Sequence, residues 1–245
     1  MTPLVRCRGI EKSFGGKAVL KGASLEVAAG ETLVLLGGSG SGKSVLLKHM
    51  NGLLRPDARL RRGRRHGARD ARRGRRSVPV RRCVSMLFQQ GALFDSAHRR
   101  RQRRVSAPRA RGSCPRSRSR ARVAEMLGMV GLEKTEGLMP SELSGGMRKR
   151  AALARALALQ PKAVLYDEPT TGLDPAHAAK INHLIRDLQQ QLGLTSIVVT
   201  HDLASAFFVA DRLAFLYEGQ IRFIGTPAEA RASADPPLHE FLTAS

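Results

Sequence analysis

The segment from Gly37 to Ser44, GGSGSGKS, matches the spacing G-x-x-x-x-G-K-[ST]. Glycines at these positions let successive backbone N–H groups curl around phosphate oxygens, and a helix that starts there adds its positive N-terminal dipole. The Lys43 ammonium could reach the outer phosphates of a nucleotide, and the Ser44 hydroxyl could ligate Mg²⁺. We therefore predict a phosphate-binding loop here (residues 37–44, the phosphate loop) rather than a flexible Gly/Ser loop with a surface lysine.

A second candidate group is the pair of carboxylates in AVLYDEP, residues 163–169. An apolar strand that ends in Asp167 would bring a carboxylate close to the Mg²⁺ ligand of the phosphate loop. Glu168 comes next and could polarise an attacking water, although it could also be simply an exposed acid at a strand end. The presence of a phosphate loop upstream favours the chemical interpretation.

The third candidate is LSGGM, from Leu143 to Met147, which we call the signature segment. It precedes the helical sequence RKRAALARALAL. Ser144 could cap this helix, and Gly145 and Gly146 would leave its first amides open to an anion. Taken alone, the segment is better explained as an ordinary capped helix.

The elements that would position these residues follow from the apolar pattern. The runs ETLVLLGG, KAVLYDEP and TSIVVTHD predict buried parallel strands. Helical spacing marks GKSVLLKHMNGLL and AHAAKINHLIRDLQQQLG, the second ended by Gly193. Strands that alternate with helices predict an α/β protein with a mostly parallel sheet. Antiparallel pieces at each end, LVRCRGIEKSF with AVLKGASLEV and the hairpin RLAFLYEGQIRFIG, predict an accessory sheet.

The order of six motifs resembles the ATP-binding cassette family. They are GGSGSGKS, Gln89 within MLFQQ, LSGGM, VLYDEP, TGLDP and VVTHD. The resemblance implies an α/β fold: a P-loop NTPase (RecA-like) core with an antiparallel β accessory sheet and an α-helical signature subdomain. It also implies one nucleotide-binding domain over residues 1–245, with the helical subdomain at about 97–158 and a C-terminal tail at 226–245.

The resemblance also implies roles for individual residues, with ATP and Mg²⁺ as cofactors. Glu168, His201 and Gln89 would be catalytic, with His201 on the γ-phosphate. Ser44, Gln89 and Asp167 would hold the metal. Phe14 would stack on adenine, although a role as a core aromatic is equally compatible with the sequence, and a histidine like His201 is often structural. The implied ATP-binding set is Phe14, Gly37, Gly38, Ser39, Gly40, Ser41, Gly42, Lys43, Ser44, Val45, Ser144, Gly145, Gly146 and Asp174.

Within the family, Met147 stands where a glutamine is usual. With SMLFQQGALFDS and EPTTGLDP, this makes the chain look most like the ATPase of bacterial transporters that use MCE-type lipid-binding proteins to move phospholipids between membranes. The implied partners are a second copy of this chain, integral membrane permease subunits, a small accessory subunit and an MCE-type protein. The chain shows no signal peptide and no apolar run of about 20 residues. We therefore expect a cytoplasmic protein, peripheral on the inner face of the cytoplasmic membrane.

The formal net charge of +22 is concentrated in one block. From Arg55 to Arg122 there are 24 arginines and 3 acids, whereas the rest of the chain has 18 basic and 17 acidic residues. A nucleic-acid-associated ATPase that uses this block is therefore a competing interpretation. The only aromatic residues in the block are Phe88 and Phe94, which offer little base stacking, so we do not expect a nucleic-acid partner.

Two windows inside the block, residues 59–82 and most of 97–122, have neither strand nor helix periodicity. They consist mainly of Arg, Ala, Gly, Ser and Pro, which GC-rich codons give when they are translated in a wrong frame. Both windows end abruptly where family-like sequence resumes. Our hypothesis is two local frame excursions, each restored. A solvated arginine segment and a damaged, non-working gene product are two competing explanations.

The frame hypothesis predicts what the gene contains. One alternative frame should give apolar-alternating strands across residues 59–82 and an amphipathic segment across 97–122, and the corrected chain should lose most of its excess charge. Translating the gene in all three frames tests this directly. If neither alternative frame gives patterned sequence, the arginines belong to the working protein, and salt-dependent nucleic-acid binding becomes the property to measure.

Overall fold

The computed structural model describes residues 3–57, 83–88 and 116–244. Gln89 and both non-periodic windows, except for residues 116–122, lie outside these ranges. The strands in the described part are β1 (Pro3–Phe14), β2 (Lys17–Ala28), β3 (Thr32–Leu36), β4 (Val84–Leu87), β5 (Ala163–Asp167), β6 (Thr195–Val199), β7 (Arg212–Tyr217) and β8 (Gln220–Gly225).

Helices cover the main sheet and follow its strands. Among the described residues they are α1 (Lys43–Met50), α2 (Arg116–Met129), α3 (Gly145–Leu157), α4 (Pro175–Leu192), α5 (Leu203–Val209), α6 (Pro227–Arg231) and α7 (Pro236–Thr243), with a 3₁₀ turn at Pro140–Glu142. In these ranges no helix has the length and apolar character needed to cross a lipid bilayer. The predicted stop of α4 at Gly193 is confirmed, with that glycine left-handed at φ 59°.

The main sheet has six strands in the order β4-β5-β6-β3-β7-β8. Strands β4, β5, β6, β3 and β7 are parallel, and β8 pairs antiparallel with β7. Strands β1 and β2 form a separate antiparallel sheet of two strands. The predicted α/β class, with a parallel core and an antiparallel accessory sheet, is confirmed.

Strand β3 lies at the centre of the molecule and is buried on both faces. Val34 and Leu36 contact an apolar cluster that also includes helices α2 to α7. Leu33 and Leu35 contact a second cluster made with β1, β2 and α1. Each of these side chains is at most 1% exposed, so each contributes roughly 2 kcal/mol of hydrophobic stabilisation. The phosphate loop therefore starts from one of the most firmly held strands of the protein.

The C-terminal hairpin differs from its prediction in one respect. The turn forms as predicted, with positive φ at both Glu218 (47°) and Gly219 (81°), the geometry of a tight two-residue hairpin. The hairpin does not belong to the accessory sheet, however, because β7 pairs with β3 and so carries β8 onto the edge of the main sheet. Sequence pattern shows that two strands pair but not which sheet they join.

Helix α2 begins inside the second non-periodic window. Residues 116–122 are therefore helical although the sequence there has no helix periodicity. Arginine and alanine are good helix formers, and Arg122 pairs with Glu125 at 2.8 Å on the same helix. Farther along, Met126 is buried in the core and anchors α2 on the rest of the protein.

Candidate functional site

Three strands end side by side at one edge of the main sheet. β6 lies between β3 and β5, and Val199 of β6 pairs with Leu35 on one side and with Asp167 on the other. Because the three strands are parallel, the loops that follow them share this edge, where α/β proteins bind ligands. These loops carry the phosphate loop, Glu168 and His201.

The phosphate loop wraps around its own lysine. The Lys43 ammonium donates to the carbonyl oxygens of Gly37 at 2.7 Å and Gly38 at 2.9 Å, and Lys43 is only 8% exposed. Ser41 N–H donates to Gly38 O at 3.2 Å, and Gly40 takes a positive φ of 76°. Helix α1 begins at Lys43, so its N-terminal dipole points into the loop.

Two glycines of the loop leave no room for a side chain. A Cβ at Gly37 would stand 2.3 Å from the Leu216 carbonyl oxygen and 2.9 Å from Ser41 Oγ. A Cβ at Gly42, where φ is 105°, would meet Leu20 Cδ2 at 3.0 Å. These positions are where the loop packs against β7 and β2, which explains the glycine spacing in terms of close approach as well as backbone freedom.

Ser44 and Asp167 form the candidate metal site. Ser44 Oγ donates to Asp167 Oδ1 at 2.8 Å. Neighbouring oxygens around an octahedral Mg²⁺ stand about 3.0 Å apart, given metal–oxygen distances of roughly 2.1 Å. The pair therefore has the donor chemistry and spacing for two adjacent Mg²⁺ ligands. Gln89, the third predicted ligand, lies outside the described residues.

Glu168 has a left-handed backbone, with φ 53°, directly after Asp167 ends β5. Its N–H donates to Val199 O at 2.9 Å, and its Oε2 accepts from Thr171 Oγ1 at 3.1 Å. His201 Nδ1 lies 2.9 Å from the same Oε2. The Glu168 side chain is 14% exposed and that of His201 is 66% exposed, so a largely buried carboxylate meets an accessible imidazole.

Electrostatic interactions link the phosphate loop to the two carboxylates that follow β5. Burial lowers the pKa of Lys43, while the nearby charges of Glu168 and Asp167 act in the opposite direction. One buried ammonium thus lies within the field of both carboxylates. A phosphate group at this edge would find a cation, a helix N-terminus and an acceptor for a water proton around it.

The signature segment is also formed as predicted at its local level. Ser144 caps α3, with its Oγ accepting from Met147 N–H at 3.2 Å. Gly146 lies against the first turn of α4, since a Cβ there would stand 3.0 Å from the His177 ring. Gly145 is exposed, so one face of this turn remains open to a binding partner.

Asp174 and Phe14 lie outside this group of contacts. Asp174 caps α4, accepting from His177 N–H at 3.0 Å, and these bonds hold its pKa below the usual value. Phe14 is 48% exposed, so the interpretation of it as a core aromatic is wrong. Val45 lies in the first turn of α1, where its carbonyl oxygen is 2.8 Å from His49 Nδ1.

Sequence reasoning missed several residues at these loops. Asp57 accepts from the Lys12 ammonium and from Ser13 N–H at 2.7 Å, and the lysine bond above all lowers its pKa. It thereby ties the segment after α1 to the strand that carries Phe14. Sequence reasoning also missed Thr171, which donates to the Glu168 carboxylate, and Lys149, which donates to the Thr171 carbonyl oxygen. Only the polar character of EPTT gave any hint of the threonine.

Together, a parallel sheet, a phosphate loop after its central strand and paired carboxylates after a neighbouring strand define a P-loop ATPase. A family model described as "ABC transporter" matches residues 20–171, which include the phosphate loop and both carboxylates. The chain belongs to the ABC transporter family, as the motif order predicted. Within that family it is an ATP-binding subunit that hydrolyses ATP.

Several known proteins are similar to this chain over most of its length. The chain is 37% identical over 263 residues to the chloroplastic protein TRIGALACTOSYLDIACYLGLYCEROL 3 of Arabidopsis thaliana, covering 99% of this chain and 74% of that one. It is 38% identical to the Fe(3+) ions import ATP-binding protein FbpC 2 of Rhodococcus jostii, covering 99% and 68%. A solved dimer of the ATP-binding cassette MJ0796, in a post-hydrolysis state with ADP and Pi, shares 30% identity and a TM-score of 0.75, with 91% and 98% covered.

The contrast between two neighbouring glycines tests the packing of the phosphate loop. Gly37→Ala should lower the free energy of unfolding by about 2 kcal/mol, because the new methyl group overlaps a backbone carbonyl of β7. Gly38→Ala is the control, since a Cβ there meets nothing within 4 Å, and it should change stability by less than about 0.5 kcal/mol. Urea denaturation without nucleotide measures both. Equal effects would contradict the close approach at Gly37.

Proposed function

We propose that this chain is the ATPase of a transporter that moves phospholipid between bacterial membranes, and that it works as a homodimer on the cytoplasmic face of the inner membrane. Its folded unit would be one nucleotide-binding domain over residues 1–245, with a helical subdomain at about 97–158 and a tail at 226–245. The observation that carries the catalytic part is the Lys43, Ser44, Asp167 and Glu168 constellation at one sheet edge.

ATP would be held by the phosphate loop. The backbone amides of residues 37–44 and the dipole of α1 favour phosphate oxygens, and the Lys43 ammonium would neutralise the outer phosphates. The exposed ring of Phe14 is available to stack on adenine. Bound Mg²⁺, held by Ser44 and Asp167 with Gln89 as the third ligand, would neutralise charge on the β- and γ-phosphates.

Hydrolysis would follow from the position of Glu168. Its carboxylate would orient the attacking water and accept its proton, while His201, 2.9 Å away, would contact the γ-phosphate and keep the carboxylate oriented. The low exposure of Glu168 supports this role, because a base shielded from bulk solvent interacts more strongly with a proton donor. The oxygen of that water would form a bond to the γ-phosphorus while the bond from this phosphorus to the bridging oxygen breaks, so the products would be ADP and inorganic phosphate.

Dimer formation would complete the site. At Ser144 and Gly145 the signature turn is exposed, which suits an anion brought by another subunit to the first amides of α3, whereas Gly146 is buried. Asp174 would lie at the crossing between the two copies. The similarity to a cassette solved as a dimer with ADP and Pi supports this arrangement.

The cargo proposal depends on the finer resemblance. Met147 in place of the usual glutamine, with the EPTTGLDP segment, is typical of ATPases that serve MCE-type lipid-binding proteins. A relative whose name contains a glycerolipid matches nearly the whole chain. The equally similar iron-import relative has a different cargo, so the lipid assignment needs its own test. Permease subunits, a small accessory subunit and an MCE-type protein would be the partners.

The catalytic proposal predicts two different failures. Lys43→Ala should abolish ATP binding, because the phosphates lose their counter-cation. Glu168→Gln should keep ATP binding but lose turnover by about 100-fold or more, since an amide cannot accept the proton of water. Nucleotide affinity and phosphate release, measured on both variants, separate the two roles.

With ATP and Mg²⁺ the Glu168→Gln protein should also dimerise in light scattering, and return to monomer when nucleotide is removed.

Two outcomes would contradict these assignments. Unchanged phosphate release in Glu168→Gln would exclude Glu168 as the base. A monomer at saturating ATP would count against the shared site.

The cargo proposal predicts ATP-dependent lipid movement. The chain should be purified with its membrane partners and reconstituted in vesicles that contain a fluorescent phospholipid. Transfer of that lipid to an acceptor should require ATP and should stop in a complex that carries Glu168→Gln. ATP-dependent uptake of Fe³⁺ with no lipid transfer would refute the cargo while leaving the ATPase assignment intact.

A further inference from the structure

Glu168 is the first residue of a tight turn, and Thr171, the last residue of that turn, hydrogen-bonds to the Glu168 side chain. Thr171 N–H donates to Glu168 O at 3.4 Å, and Thr171 Oγ1 donates to Glu168 Oε2 at 3.1 Å. The threonine therefore contacts both the backbone and the carboxylate of the proposed base. Any displacement of Thr171 would move the hydrogen that holds Oε2 in place.

The other side of Thr171 is held from a different part of the fold. The Lys149 ammonium donates to the Thr171 carbonyl oxygen. Lys149 lies on α3, in the second turn after the signature cap at Ser144. A continuous path of contacts thus runs from the signature helix through Lys149 and Thr171 to the Glu168 carboxylate.

Charge reinforces this path. Burial lowers the pKa of Lys149, while the negative charge of Glu168 opposes that effect. The ammonium thus lies close enough to Glu168 to interact with it electrostatically. Lys149 is half-buried, so solvent screens this interaction less than it would for a lysine on the surface.

We propose that Lys149 is a positioning residue for hydrolysis: it fixes the Thr171 turn, and through it the Glu168 carboxylate, relative to the signature helix. This inference rests on the proposed role of Glu168 as the base. Because α3 carries both Ser144 and Lys149, rotation of the helix when the signature meets a nucleotide would be transmitted to the base of the same chain. Each chain would then adjust its own base when its signature engages the site of its partner.

The first test removes the ammonium and keeps its stem. Lys149→Met should lower kcat about tenfold, the effect of one lost hydrogen bond on transition-state positioning, while leaving the affinity for a non-hydrolysable ATP analogue unchanged. Lys149→Arg, which keeps charge and donor, should recover most of kcat. Lys180→Met, on the exposed face of α4, is the matched control and should retain full activity. Unchanged kcat in Lys149→Met, or a matching loss of nucleotide affinity, would overturn the proposal.

A second pair of variants tests the intermediate residue. Thr171→Val removes the hydroxyl at nearly constant shape and should also lower kcat about tenfold, whereas Thr171→Ser should not. The double variant Lys149→Met/Thr171→Val should lose little more than either single variant, because both disturb the same carboxylate. Fully additive losses would refute the path. If Lys149→Met fails to fold, the contrast between Thr171→Val and Thr171→Ser decides, and equal kcat in those two refutes the path.

The Glu168→Gln protein separates failure of this inference from failure of the proposed function. Unchanged hydrolysis in Glu168→Gln would show that Glu168 is not the base, and the proposed function would fail with it. Loss of hydrolysis in Glu168→Gln, together with full activity in Lys149→Met, would support Glu168 as the base and refute only the positioning role of Lys149.

Discussion

The hydrogen bond from Ser44 to Asp167 depends on the order of the strands more than on any local sequence. Strand β6 separates β3 from β5, so the phosphate loop and the carboxylate meet across the end of a third strand. The distance of 2.8 Å is fixed because all three strands are buried on both faces. Lys43 immediately precedes Ser44, and Glu168 immediately follows Asp167. The hydrogen bond between Ser44 and Asp167 therefore also fixes the positions of Lys43 and Glu168.

The backbone conformation of Glu168 determines whether its carboxylate lies near that of Asp167. Successive side chains of a strand point to opposite faces, so an extended backbone would turn Glu168 away from Asp167. The left-handed φ of 53° turns the chain out of the strand at this residue. Such a conformation costs of order 1 kcal/mol or more, which the bonds to Val199 and Thr171 offset. Two adjacent carboxylates can then act on the same buried ammonium.

Much of this organisation could be predicted from sequence because its causes are local. Apolar runs located β3, β5 and β6, and glycine spacing located the phosphate loop. The cap at Ser144 and the stop at Gly193 followed from residue type. The contacts of Lys149 with Thr171 and of Asp57 with Lys12 could not be predicted, because each joins segments that meet only after folding. Sheet membership of the C-terminal hairpin was missed for the same reason. The start of α2 was missed because residues 116–122 show no apolar periodicity, although arginine and alanine favour a helix.

The place of β4 at the edge of the sheet bears on how the gene could change. Strand β4 lies between the two arginine-rich windows in sequence, yet the inner strands β5, β6, β3 and β7 all come from chain outside them. A lesion confined to the windows would therefore change the chain on either side of β4 and the first turns of α2, but not β3, β5 or the loops that follow them. Such a lesion would leave the identities of Lys43, Ser44, Asp167 and Glu168 unchanged.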